Sequence, residues 1–532
     1  MSDQHTMLAG SHRYHRAGVE ILGRADPHEW VEVTIKVRRK AALPEPMAGG
    51  AVMTREQLAA NHGASEDDLN KVEQVLGTYG LSQTDRDVAT RTVRMVGTVE
   101  QMEAAFNLHL FSARHDGRTH RARQGDIWIP KALDGIVVGV FGLDTRRMVR
   151  RRKGVEAVGA HALKPPGARA WFLPQKLAAL YEFPNNGGAG QTIALLEFGG
   201  TILQSDLQAF ASMANLPKVA HVEQVNVDAL APGDANDPNA TGEVMLDVEV
   251  VAALCPDAKV VGYFAPFTEK GWVDGVDAAI HDTVRQPTVL SVSWGFAEGA
   301  LIWTEAAMRA VNEAMQEATV LGIPVCLASG DDGSDDGVGD GAAHADFPAT
   351  SPYVLSVGGT TLNKKTGAEV VWKEGDGLRS DQGGAGGGGV STVFARPAYQ
   401  NGISIASVNP GAINGRVIPD VCANAAGKTG YFTVANGQAG VVGGTSAAAP
   451  LWAALIARID TARGKGVGFL TPLLYQANPK TGGKPLGNAA LKDIVQGNNT
   501  SAAAGGYSAA PGYDAASGWG SPNGTKLLSM LP

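Results

Sequence analysis

The sequence predicts two folded units: an α+β unit at the N-terminus, followed by a larger α/β unit with a doubly wound, mostly parallel sheet. Three observations predict this. The chain has 532 residues, which is more than one ordinary domain holds. Its first part mixes alternating strand-like segments with amphipathic helices. From about residue 190, short apolar segments alternate with helical stretches, a pattern typical of a parallel sheet covered by helices on both faces.

The N-terminal unit is predicted to span residues 1–145. Its predicted elements are a strand at 28–39, helices at 53–63 and 65–80, a strand–helix–strand segment at 91–111 and a short strand at 126–130. Ser65 and Asp68 have the spacing of a capping box at the start of the second helix. Thr98 and Gln101 have the same spacing within the third segment. This order of elements favours a split βαβ sandwich.

The larger unit is predicted to begin at about residue 172. Its apolar strands are expected at 192–198, 259–266, 288–295, 324–331 and 353–360, and its helices at 203–215, 241–255, 272–285 and 303–321. Active sites in such sheets lie beyond the carboxyl ends of the strands. Glu197, Trp294 and Asp331 stand at strand ends of this kind, so they are candidates for a site.

Charge is unevenly divided along the chain. Residues 1–153 carry 23 Lys and Arg against 19 Asp and Glu, whereas the whole chain has a net charge of −8. A mildly basic segment beside an acidic body indicates two parts that dock electrostatically, and low pH would weaken that docking by protonating carboxylates. The acidic balance of the larger part argues against a nucleic-acid partner.

Several function classes are disfavoured by features that the sequence lacks. It has no apolar stretch long enough to predict a membrane span. The first residues show no apolar core of a secretory signal, so they predict no route of export. Cys255, Cys326 and Cys422 have no metal-binding or disulfide spacing, and we expect them to be small buried side chains.

A linker is predicted at residues 146–171, between the two units. The segment is basic at its start, then rich in Gly, Ala and Pro, without a clear period. Exposed segments of this kind are preferred sites of proteolysis. A plain tether between the units is the alternative interpretation.

The segment GGTSAAAP, residues 443–450, places Ser446 between small residues just before an amphipathic helix. Small residues let backbone amides come close to a bound group, and a helix N-terminus stabilises developing negative charge. That setting suits a nucleophilic serine, which needs a base to take its proton. Two groups of serine peptidases share such a loop, and one of them uses histidine as the base.

Histidine is a weak candidate for that base in this sequence. None of the histidines after residue 153 stands in an H-G-T-H-like setting; they are His161, His221, His281 and His344. No Asp-x-Gly follows the first strand of the larger unit either, since that strand ends in LLEFGG, with Glu197. The base is therefore sought among the carboxylates.

Residues 241–256, TGEVMLDVEVVAALCP, predict a helix that is apolar on nearly every side and therefore buried. Glu243 and Asp247 lie four residues apart, on one face of this helix. Like charges at this spacing cost stability and burial raises a carboxyl pKa, so stability alone does not explain the pair. We interpret Glu243 as the general base for Ser446, which would work best in acid. The alternative is a solvated acidic edge, since the helix also carries Glu249.

Asp331 ends an apolar strand and enters the acidic, Gly-rich segment SGDDGSDDGVGDG, residues 329–341. A protonated aspartic acid at such a place could donate a hydrogen bond to a tetrahedral oxyanion. A solvated turn is the alternative, and the spacing of the acids does not fit an EF-hand. A second Gly-rich segment, GGAGGGG at 383–389, predicts a flexible or close-packed loop, because no lysine follows it at P-loop spacing.

Taken together, these motifs resemble the sedolisins, the serine-carboxyl peptidase family, and most of all its kumamolisin-type members. The motifs are Glu243-x-x-x-Asp247, the SGD that ends at Asp331, and GGTSAAAP around Ser446. The resemblance runs over essentially the whole chain, prosegment included. It implies a subtilisin-like α/β catalytic domain at 172–532 and an inhibitory, ferredoxin-like prodomain at 1–145.

The resemblance also implies roles for individual residues. Ser446 attacks the peptide carbonyl, Glu243 is the general base and Asp247 orients Glu243. Asp331 and the backbone N–H of Ser446 form the oxyanion hole. Further implied residues are Glu197 and Trp294 as a supporting network, Ser293 and Gly295 for substrate pairing by strand addition, and Asp346 near the specificity pockets. Asp346 indicates a preference for basic residues near the scissile bond; a turn-capping aspartate before Phe-Pro is the alternative.

The family binds one calcium ion between two segments near the C-terminus, which match residues 492–499 and 509–522 here. The implied ligands are the carboxylates of Asp493 and Asp514 and the backbone carbonyls of Ile494, Ala510 and Gly512. Ala510 replaces a glycine of the family pattern, and a carbonyl ligand tolerates that change if the backbone conformation allows it. Without the resemblance, plain turns would be the preferred interpretation.

The resemblance thus predicts an acid-active endopeptidase that is made as a zymogen and cuts itself within 146–171. Its partners would be protein or peptide substrates and its own prosegment, with calcium as cofactor. We expect an extracellular monomer that binds neither nucleic acid nor membranes. Three alternatives stay open: a tripeptidyl-peptidase of the same family, a neutral peptidase with a histidine base, and a non-catalytic calcium-binding or adhesive scaffold.

Overall fold

The chain forms two units, an N-terminal unit up to residue 148 and a larger unit from residue 171. The computed structural model describes residues 4–15, 18–46, 49–50, 52–148, 156–157, 171–299, 301–379, 383–501 and 504–532. Most of the linker predicted at 146–171 therefore lies outside the described residues, as does His161. Of the helices in the described ranges, none combines the length and the apolar character needed to cross a membrane.

The N-terminal unit combines helices with short antiparallel strands. Its strands are β1 (His5–Met7), β2 (Glu20–Arg24), β3 (Trp30–Val37), β4 (Ser82–Asp87), β5 (Thr92–Thr98), β6 (Phe111–His115), β7 (Arg118–Ala122), β8 (Trp128–Pro130) and β9 (Val137–Phe141). Its helices are α1 (Arg55–His62), α2 (Glu66–Gly77) and α3 (Val99–Phe106). One sheet has the order β4-β5-β3-β9, with helices in the connections β3–β4 and β5–β9. This is the split βαβ, ferredoxin-like arrangement that the sequence predicted.

Side chains at the helix starts explain why these segments fold as helices locally. The Thr98 hydroxyl accepts a hydrogen bond from the N–H of Gln101 at 3.3 Å, and the Gln101 side chain accepts one from the N–H of Thr98 at 2.8 Å. The Ser65 hydroxyl accepts one from the N–H of Asp68 at 3.1 Å. These bonds satisfy N–H groups that the first turn of a helix leaves without a partner.

The larger unit contains the remaining elements. Its helices are α4 (Pro174–Leu180), α5 (Gln204–Met213), α6 (Pro232–Ala235), α7 (Pro238–Leu254), α8 (Glu269–His281), α9 (Glu305–Val320), α10 (Thr445–Arg463), α11 (Leu470–Leu474), α12 (Leu486–Ala490) and α13 (Gly524–Met530). The two-residue strand β10 (Glu156–Ala157) precedes this unit and pairs with its last strand. The strands of the unit are β11 (Thr192–Phe198), β12 (His221–Asn226), β13 (Lys259–Ala265), β14 (Val289–Val292), β15 (Phe296–Ala297), β16 (Val325–Ala328), β17 (Asp346–Phe347), β18 (Leu355–Leu362), β19 (Glu369–Val371), β20 (Lys373–Glu374), β21 (Gly384–Ala385), β22 (Gly389–Ala395), β23 (Gly415–Ile418), β24 (Val421–Asn424), β25 (Tyr431–Ala435) and β26 (Gln438–Val442).

The central sheet of the larger unit has the strand order β12-β13-β11-β14-β16-β18-β19, and β24 pairs with β18 as a branch. Its pairings are parallel except that of β18 with β19. Helices α7 and α10 pack on one face, where Trp452 is fully buried, and α8 and α9 pack on the other, around Trp272. The predicted doubly wound, mostly parallel α/β architecture is confirmed.

Strands β14 and β16 end three residues before the predicted boundaries, at Val292 and Ala328. Beyond these points the backbone leaves the sheet. The Ser293 hydroxyl donates to the carbonyl of Ser446 at 3.0 Å, and Gly330 turns with a φ of 107°. Strand β12 was not predicted, because it lies at the sheet edge and its residues are exposed or half-buried rather than apolar.

The three cysteines are buried and unpaired, as the sequence predicted. Burial raises the pKa of the Cys255 thiol to about 12 and keeps the pKa of Cys422 well above its ordinary value. A thiol that stays protonated is a poor nucleophile and a poor metal ligand. The cysteines are therefore part of the core.

The N-terminal unit docks on an acidic face of the larger unit through ion pairs, in line with the uneven charge of the sequence. These pairs include Arg13–Glu269, Lys36–Asp277, Arg39–Glu317, Arg91–Glu313, Arg94–Asp228 and Arg118–Asp234. Some are buried: the Lys36 and Asp277 side chains are 1% and 4% exposed. Removing one partner of a buried pair costs about 3–5 kcal/mol, so such pairs make docking specific.

One group of charges links the two units around Asp228. Arg94 Nη1 lies 2.5 Å from Asp228 Oδ1, and Lys270 Nζ lies 2.9 Å from Asp228 Oδ2. Burial by itself raises the pKa of Asp228, but the attraction of Lys270 and Arg94 outweighs burial and holds that pKa below its ordinary value. Burial raises the pKa of the neighbouring Asp274 to about 6.

We expect Asp228 to make docking weaker as the pH falls below about 3.9, the ordinary pKa of an aspartate. A carboxylate whose pKa is lowered in the docked state contributes stability above the ordinary pKa, and that contribution is lost as the group is protonated. Asp274 changes charge nearer pH 6 with the opposite sign, because its pKa is raised. Hydrogen–deuterium exchange of β3 and α8, corrected for the intrinsic effect of pH, measures the docking.

The measurement compares about pH 5 with about pH 3 in a Ser446→Ala chain, which prevents the self-cleavage predicted from the sequence. Asp228→Asn in that chain should show a smaller change in exchange between the two pH values. An equal change in both chains would mean that Asp228 does not contribute.

Candidate active site

Ser446 lies in the first turn of α10, as the second residue of that helix. The preceding Gly444 has a φ of 123°, which favours glycine. A Cβ on Gly444 would lie 2.9 Å from Asp331 Oδ2. The N–H groups of a first turn have no partner within the helix, so the N–H of Ser446 is suited to stabilise negative charge.

Asp331 is fixed beside Ser446 by Thr445. The backbone N–H and the hydroxyl of Thr445 donate to Asp331 Oδ1 at 2.8 and 2.7 Å. The other carboxyl oxygen, Oδ2, lies 3.7 Å from Arg379 Nη1. Because two donors hold Oδ1, the orientation of the Asp331 carboxyl relative to the start of α10 is fixed.

Glu243 and Asp247 lie on α7, which packs directly against α10. Asp247 is fully buried and Glu243 is half-buried, so the solvated acidic edge does not describe this pair. Glu249 is buried as well, but its carboxylate accepts hydrogen bonds from the Thr433 hydroxyl and from Val434 N, the latter at 2.9 Å. Glu249 is therefore accounted for by the packing of α7 on β25.

Glu197 stands near the end of β11 and is fully buried. Trp294 Nε1 donates to Glu197 Oε2 at 3.0 Å. Burial raises the pKa of Glu197 to about 8, with the Trp294 hydrogen bond lowering it and the charge of Glu243 raising it further. The structure thus joins Trp294, Glu197 and Glu243 electrostatically, and Glu197 stays neutral in acid.

The described histidines of the larger unit lie in surroundings that do not include Ser446 as a hydrogen-bond partner. His221 is exposed at the start of the edge strand β12. His281 Nε2 lies 2.5 Å from Glu317 Oε2 on the side of the sheet that faces the N-terminal unit, and His344 Nε2 lies 2.9 Å from Asp340 Oδ1. None of these three contacts Ser446 by a hydrogen bond in the part of the chain that the structure describes.

A small pocket opens beside Asp331. Its lining is Gly295, Phe296, Ala297, Gly330, Asp331, Asp336, Asp346 and Arg379. Asp346 is buried against Gly295: a Cβ on Gly295 would lie 2.0 Å from Asp346 Oδ1. Ser293 lies next to the serine, with its carbonyl oxygen 3.4 Å from Ser446 Oγ. The structure therefore brings the predicted substrate residues to one side of Ser446.

Sequence analysis missed Arg379, whose guanidinium lies against the acidic segment. Its Nε donates to Asp332 Oδ2 at 2.9 Å, and its backbone N–H donates to Asp332 Oδ1 at 2.7 Å. Burial alone lowers the pKa of Arg379, but Asp331, Asp332 and Asp336 outweigh burial and raise it. The density of acids in residues 329–341 was the available signal, because buried acids need a cation nearby.

The Gly-rich segment 383–389 supports the loop that carries Asp331. A Cβ on Gly387 would lie 1.9 Å from the carbonyl oxygen of Ser329, so a side chain cannot fit there. The N–H of Ala385 donates to the carbonyl of Asp331 at 2.9 Å. The described part of this segment is close-packed.

The residues implied as calcium ligands gather in one group of loops; they are Asp493, Ile494, Ala510, Gly512 and Asp514. The N–H of Gly512 donates to Asp493 Oδ2 at 2.9 Å. The Ser517 hydroxyl lies 3.5 Å from the carbonyl oxygen of Ile494 and 3.0 Å from Asp514 Oδ1. Asp514 is 3% exposed, and burial raises its pKa. Oxygen atoms from loops are the ligands that calcium prefers, so this donor set fits the ion.

Comparison with known families matches both units. The family described as pro-kumamolisin, activation domain, matches residues 17–146, and the subtilase family matches residues 231–512. Kumamolisin from Bacillus sp. (strain MN-32) is 40% identical, over 94% of this chain and 89% of that protein. The solved structure of Pseudomonas sedolisin, described as a serine-carboxyl proteinase, is 28% identical with a TM-score of 0.59, over 68% of this chain and 98% of that chain.

The chain belongs to the sedolisin family. Tripeptidyl-peptidase sed5 from Aspergillus fumigatus (strain ATCC MYA-4609 / CBS 101355 / FGSC A1100 / Af293) is 28% identical, over 98% of this chain and 97% of that protein. As a sedolisin, this protein is a serine-carboxyl peptidase made as a zymogen, and its N-terminal unit is the prosegment. Its substrates are proteins or peptides, and the prosegment is its partner within the chain.

We expect Glu197 to make this sedolisin less stable as the pH rises from about 4.5 to about 8. The native state keeps the Glu197 proton up to about pH 8, whereas the unfolded state releases it near its ordinary pKa of 4.5, so the native state binds more protons in that window. Each unit of pKa difference is about 1.4 kcal/mol, which makes the effect on the order of a few kcal/mol. Glu197→Gln cannot titrate and should flatten the dependence.

Denaturant unfolding at about pH 5 and about pH 8.5 measures this difference, in a Ser446→Ala chain because Ser446 is the predicted nucleophile. Glu73→Gln removes an exposed carboxyl of the prosegment and is the matched control. Parallel stability curves for Glu197→Gln and the parent chain would contradict the expectation.

Proposed function

We propose that this sedolisin is an acid-active endopeptidase that removes its own prosegment, with Ser446 as the nucleophile and Glu243 as the general base. Asp247 orients Glu243, and Asp331 stabilises the oxyanion. The observation that carries the proposal is the pair of hydrogen bonds from Thr445 to Asp331, which fixes a carboxyl beside the serine at a helix N-terminus. The settings of the described histidines favour a carboxylate base over the histidine alternative.

Acylation begins when Ser446 Oγ attacks the peptide carbonyl carbon and its proton passes to Glu243. The carbonyl oxygen becomes negative, and the Ser446 N–H and a protonated Asp331 Oδ2 donate hydrogen bonds to it. The C–N bond then breaks, the departing amine takes the proton from Glu243, and an acyl-enzyme remains. Water attacks the ester in the same way, with Glu243 again accepting and returning a proton, and Ser446 is regenerated.

Acid favours this chemistry because two carboxyl groups need different protonation states. Glu243 accepts a proton and must be ionised, whereas Asp331 donates a hydrogen bond to the oxyanion and must be protonated. Neutral Glu197, held by Trp294, adds no second negative charge next to Glu243. An activity confined to acid suits a secreted enzyme, and we propose that it acts outside the cell as a monomer.

Substrate binding is proposed on the same side of Ser446. The backbone at Ser293 and Gly295 continues from strand β14 and would pair with the substrate backbone as an added strand. Asp346 lines the pocket beside Asp331 and would favour a basic substrate side chain there. Endopeptidase activity is the proposal because kumamolisin is the relative at 40% identity, against 28% for tripeptidyl-peptidase sed5.

Calcium is proposed as the cofactor of the C-terminal loops, held by Asp493, Asp514 and the carbonyl oxygens of Ile494, Ala510 and Gly512. The support is a buried Asp514 whose pKa is raised by burial, because a cation would relieve the cost of burying its charge. The ion would fix the loops near the C-terminus, and it takes no part in the proton transfers at Ser446.

The uncut chain, purified at neutral pH and shifted to about pH 4, should lose about its first 165 residues. Ser446→Ala and Glu243→Gln should stay full-length, with processing slower by roughly three orders of magnitude or more, because nucleophile and base act as a unit. Mass spectrometry of the time course measures the loss and gives the bond that is cut.

His344→Gln is the matched control for this experiment and should process at the rate of the parent chain. Normal processing of Glu243→Gln would contradict the assignment of Glu243 as the general base and would favour a histidine base. A chain that cleaves neither itself nor an added protein at any pH would favour the non-catalytic scaffold. Cleavage of a peptide only when its N-terminus is free would favour the tripeptidyl-peptidase.

Removing calcium should lower the thermal midpoint of the protein. A ligand that binds only the native state stabilises it by about 2.7 kcal/mol at a hundred times its dissociation constant, so excess calcium should raise the midpoint and a chelator should lower it. Asp514→Asn should abolish this response, whereas Asp376→Asn, at an exposed acid, should keep it. Scanning calorimetry of Ser446→Ala chains measures both, and a response unchanged in Asp514→Asn would refute the assignment.

A further inference from the structure

A mixed cluster of histidine and carboxylates lies on the outer side of α8 and α9, away from Ser446. It consists of Asp277 and His281, four residues apart on α8, and Glu317 on α9. One ligand atom from each residue lies within 4.8 Å of the others, which is within the range that one metal ion spans. The three side chains are only 4%, 5% and 1% exposed. The proposed peptidase mechanism does not use any of them.

The prosegment covers this cluster with its own cations. Lys36 Nζ contacts Asp277 Oδ2, and Arg39 Nη2 contacts Glu317 Oε1. Arg91 Nη2 lies 3.7 Å from Glu317 Oε1. In the zymogen, therefore, positive charges of the N-terminal unit balance the two carboxylates, and they all leave when the prosegment leaves.

Hydrogen bonding within the cluster is incomplete even with the prosegment in place. His281 Nε2 is held by Glu317 Oε2 at 2.5 Å. Asp277 Oδ1 and His281 Nδ1 are buried and have no hydrogen-bond partner among the residues that the structure describes. Buried polar atoms normally find partners, so a purely structural role does not account for this group.

We propose that the mature enzyme binds a divalent transition-metal ion, such as Zn²⁺, at Asp277, His281 and Glu317. One imidazole and two carboxylates form a ligand set that suits zinc and other divalent first-row transition metals. Asp277 and His281 lie four residues apart on one face of α8, and Glu317 lies on α9, so the three ligands can approach one ion from the same side. Loss of Lys36, Arg39 and Arg91 removes the positive charges that face the Asp277 and Glu317 carboxylates, and a divalent cation would replace them. The inference rests on the proposed function only in requiring that the prosegment be removed.

Metal and prosegment would then compete for one surface. Two ligands that exclude each other weaken each other's binding by the same factor, so the metal would oppose rebinding of a released prosegment. The site differs from the calcium loops in position and in chemistry, because imidazole is a poor ligand for calcium.

Titration with Co²⁺ tests the proposal, because the visible absorption of this ion reports its ligands directly. The protein is the processed form, verified by mass spectrometry, at about pH 7 with calcium present throughout. Processed wild type should bind Co²⁺, and excess Zn²⁺ should displace it. The uncut Ser446→Ala chain should bind neither ion at this site.

His281→Gln and Asp277→Asn should weaken Co²⁺ binding by at least about 10–100-fold, while keeping the proteolytic activity of the parent. His221→Gln removes an exposed histidine from an edge strand and should bind as wild type does. Equal binding by wild type and His281→Gln, or no binding by processed wild type, would overturn the proposal. Equal binding by the uncut and processed chains would overturn the masking by the prosegment.

Failure of processing is distinguished from failure of the metal site by a second chain. If mass spectrometry finds no cut, Lys36→Ala, Arg39→Ala and Arg91→Ala are introduced together into Ser446→Ala, which removes the three covering cations without any proteolysis. Circular dichroism checks that this chain is folded. Co²⁺ binding there that is lost on adding His281→Gln supports the site, and absence of binding refutes it.

Discussion

The hydrogen bonds from Thr445 to Asp331 connect the two parts of the proposed active site. Parallel strands carry their carboxyl ends to one edge of the sheet, so the turns after β14 and β16 and the start of α10 meet there. Asp331 comes from the turn after β16, and Ser446 follows Thr445 directly. Two donors on one carboxyl oxygen therefore set the position of Ser446 relative to Asp331.

The same edge of the sheet holds carboxyl groups whose burial costs stability. Burial disfavours the charged form of a carboxyl, and Glu197 meets that cost by staying neutral up to about pH 8. Glu249 shows the structural solution on the same helix as Glu243, because Thr433 and Val434 supply its hydrogen bonds. Packing therefore explains Glu249, whereas Glu243 lies close enough to Glu197 for its charge to raise the pKa of that carboxyl.

The interface between prosegment and catalytic domain depends on paired charges rather than on apolar contact alone. The basic N-terminal unit places lysine and arginine side chains over buried acids of α8 and α9. Such pairs are costly when one partner is removed, so release of the prosegment changes the electrostatics of the face that it covered. The proposed metal site depends on this interface, because the same lysine and arginine side chains cover it in the zymogen.

The sequence by itself determined the two units, the strands and helices with clear periodicity, and the residues Ser446, Glu243 and Asp331 as candidates. Those signals are local, because side-chain period, capping residues and short motifs are fixed by neighbours along the chain. Only the tertiary structure decided the early ends of β14 and β16, the edge strand β12, the position of Arg379 and the pairing of Lys36 with Asp277. These depend on contacts between residues far apart in sequence, where burial and charge balance are settled only once the chain has folded.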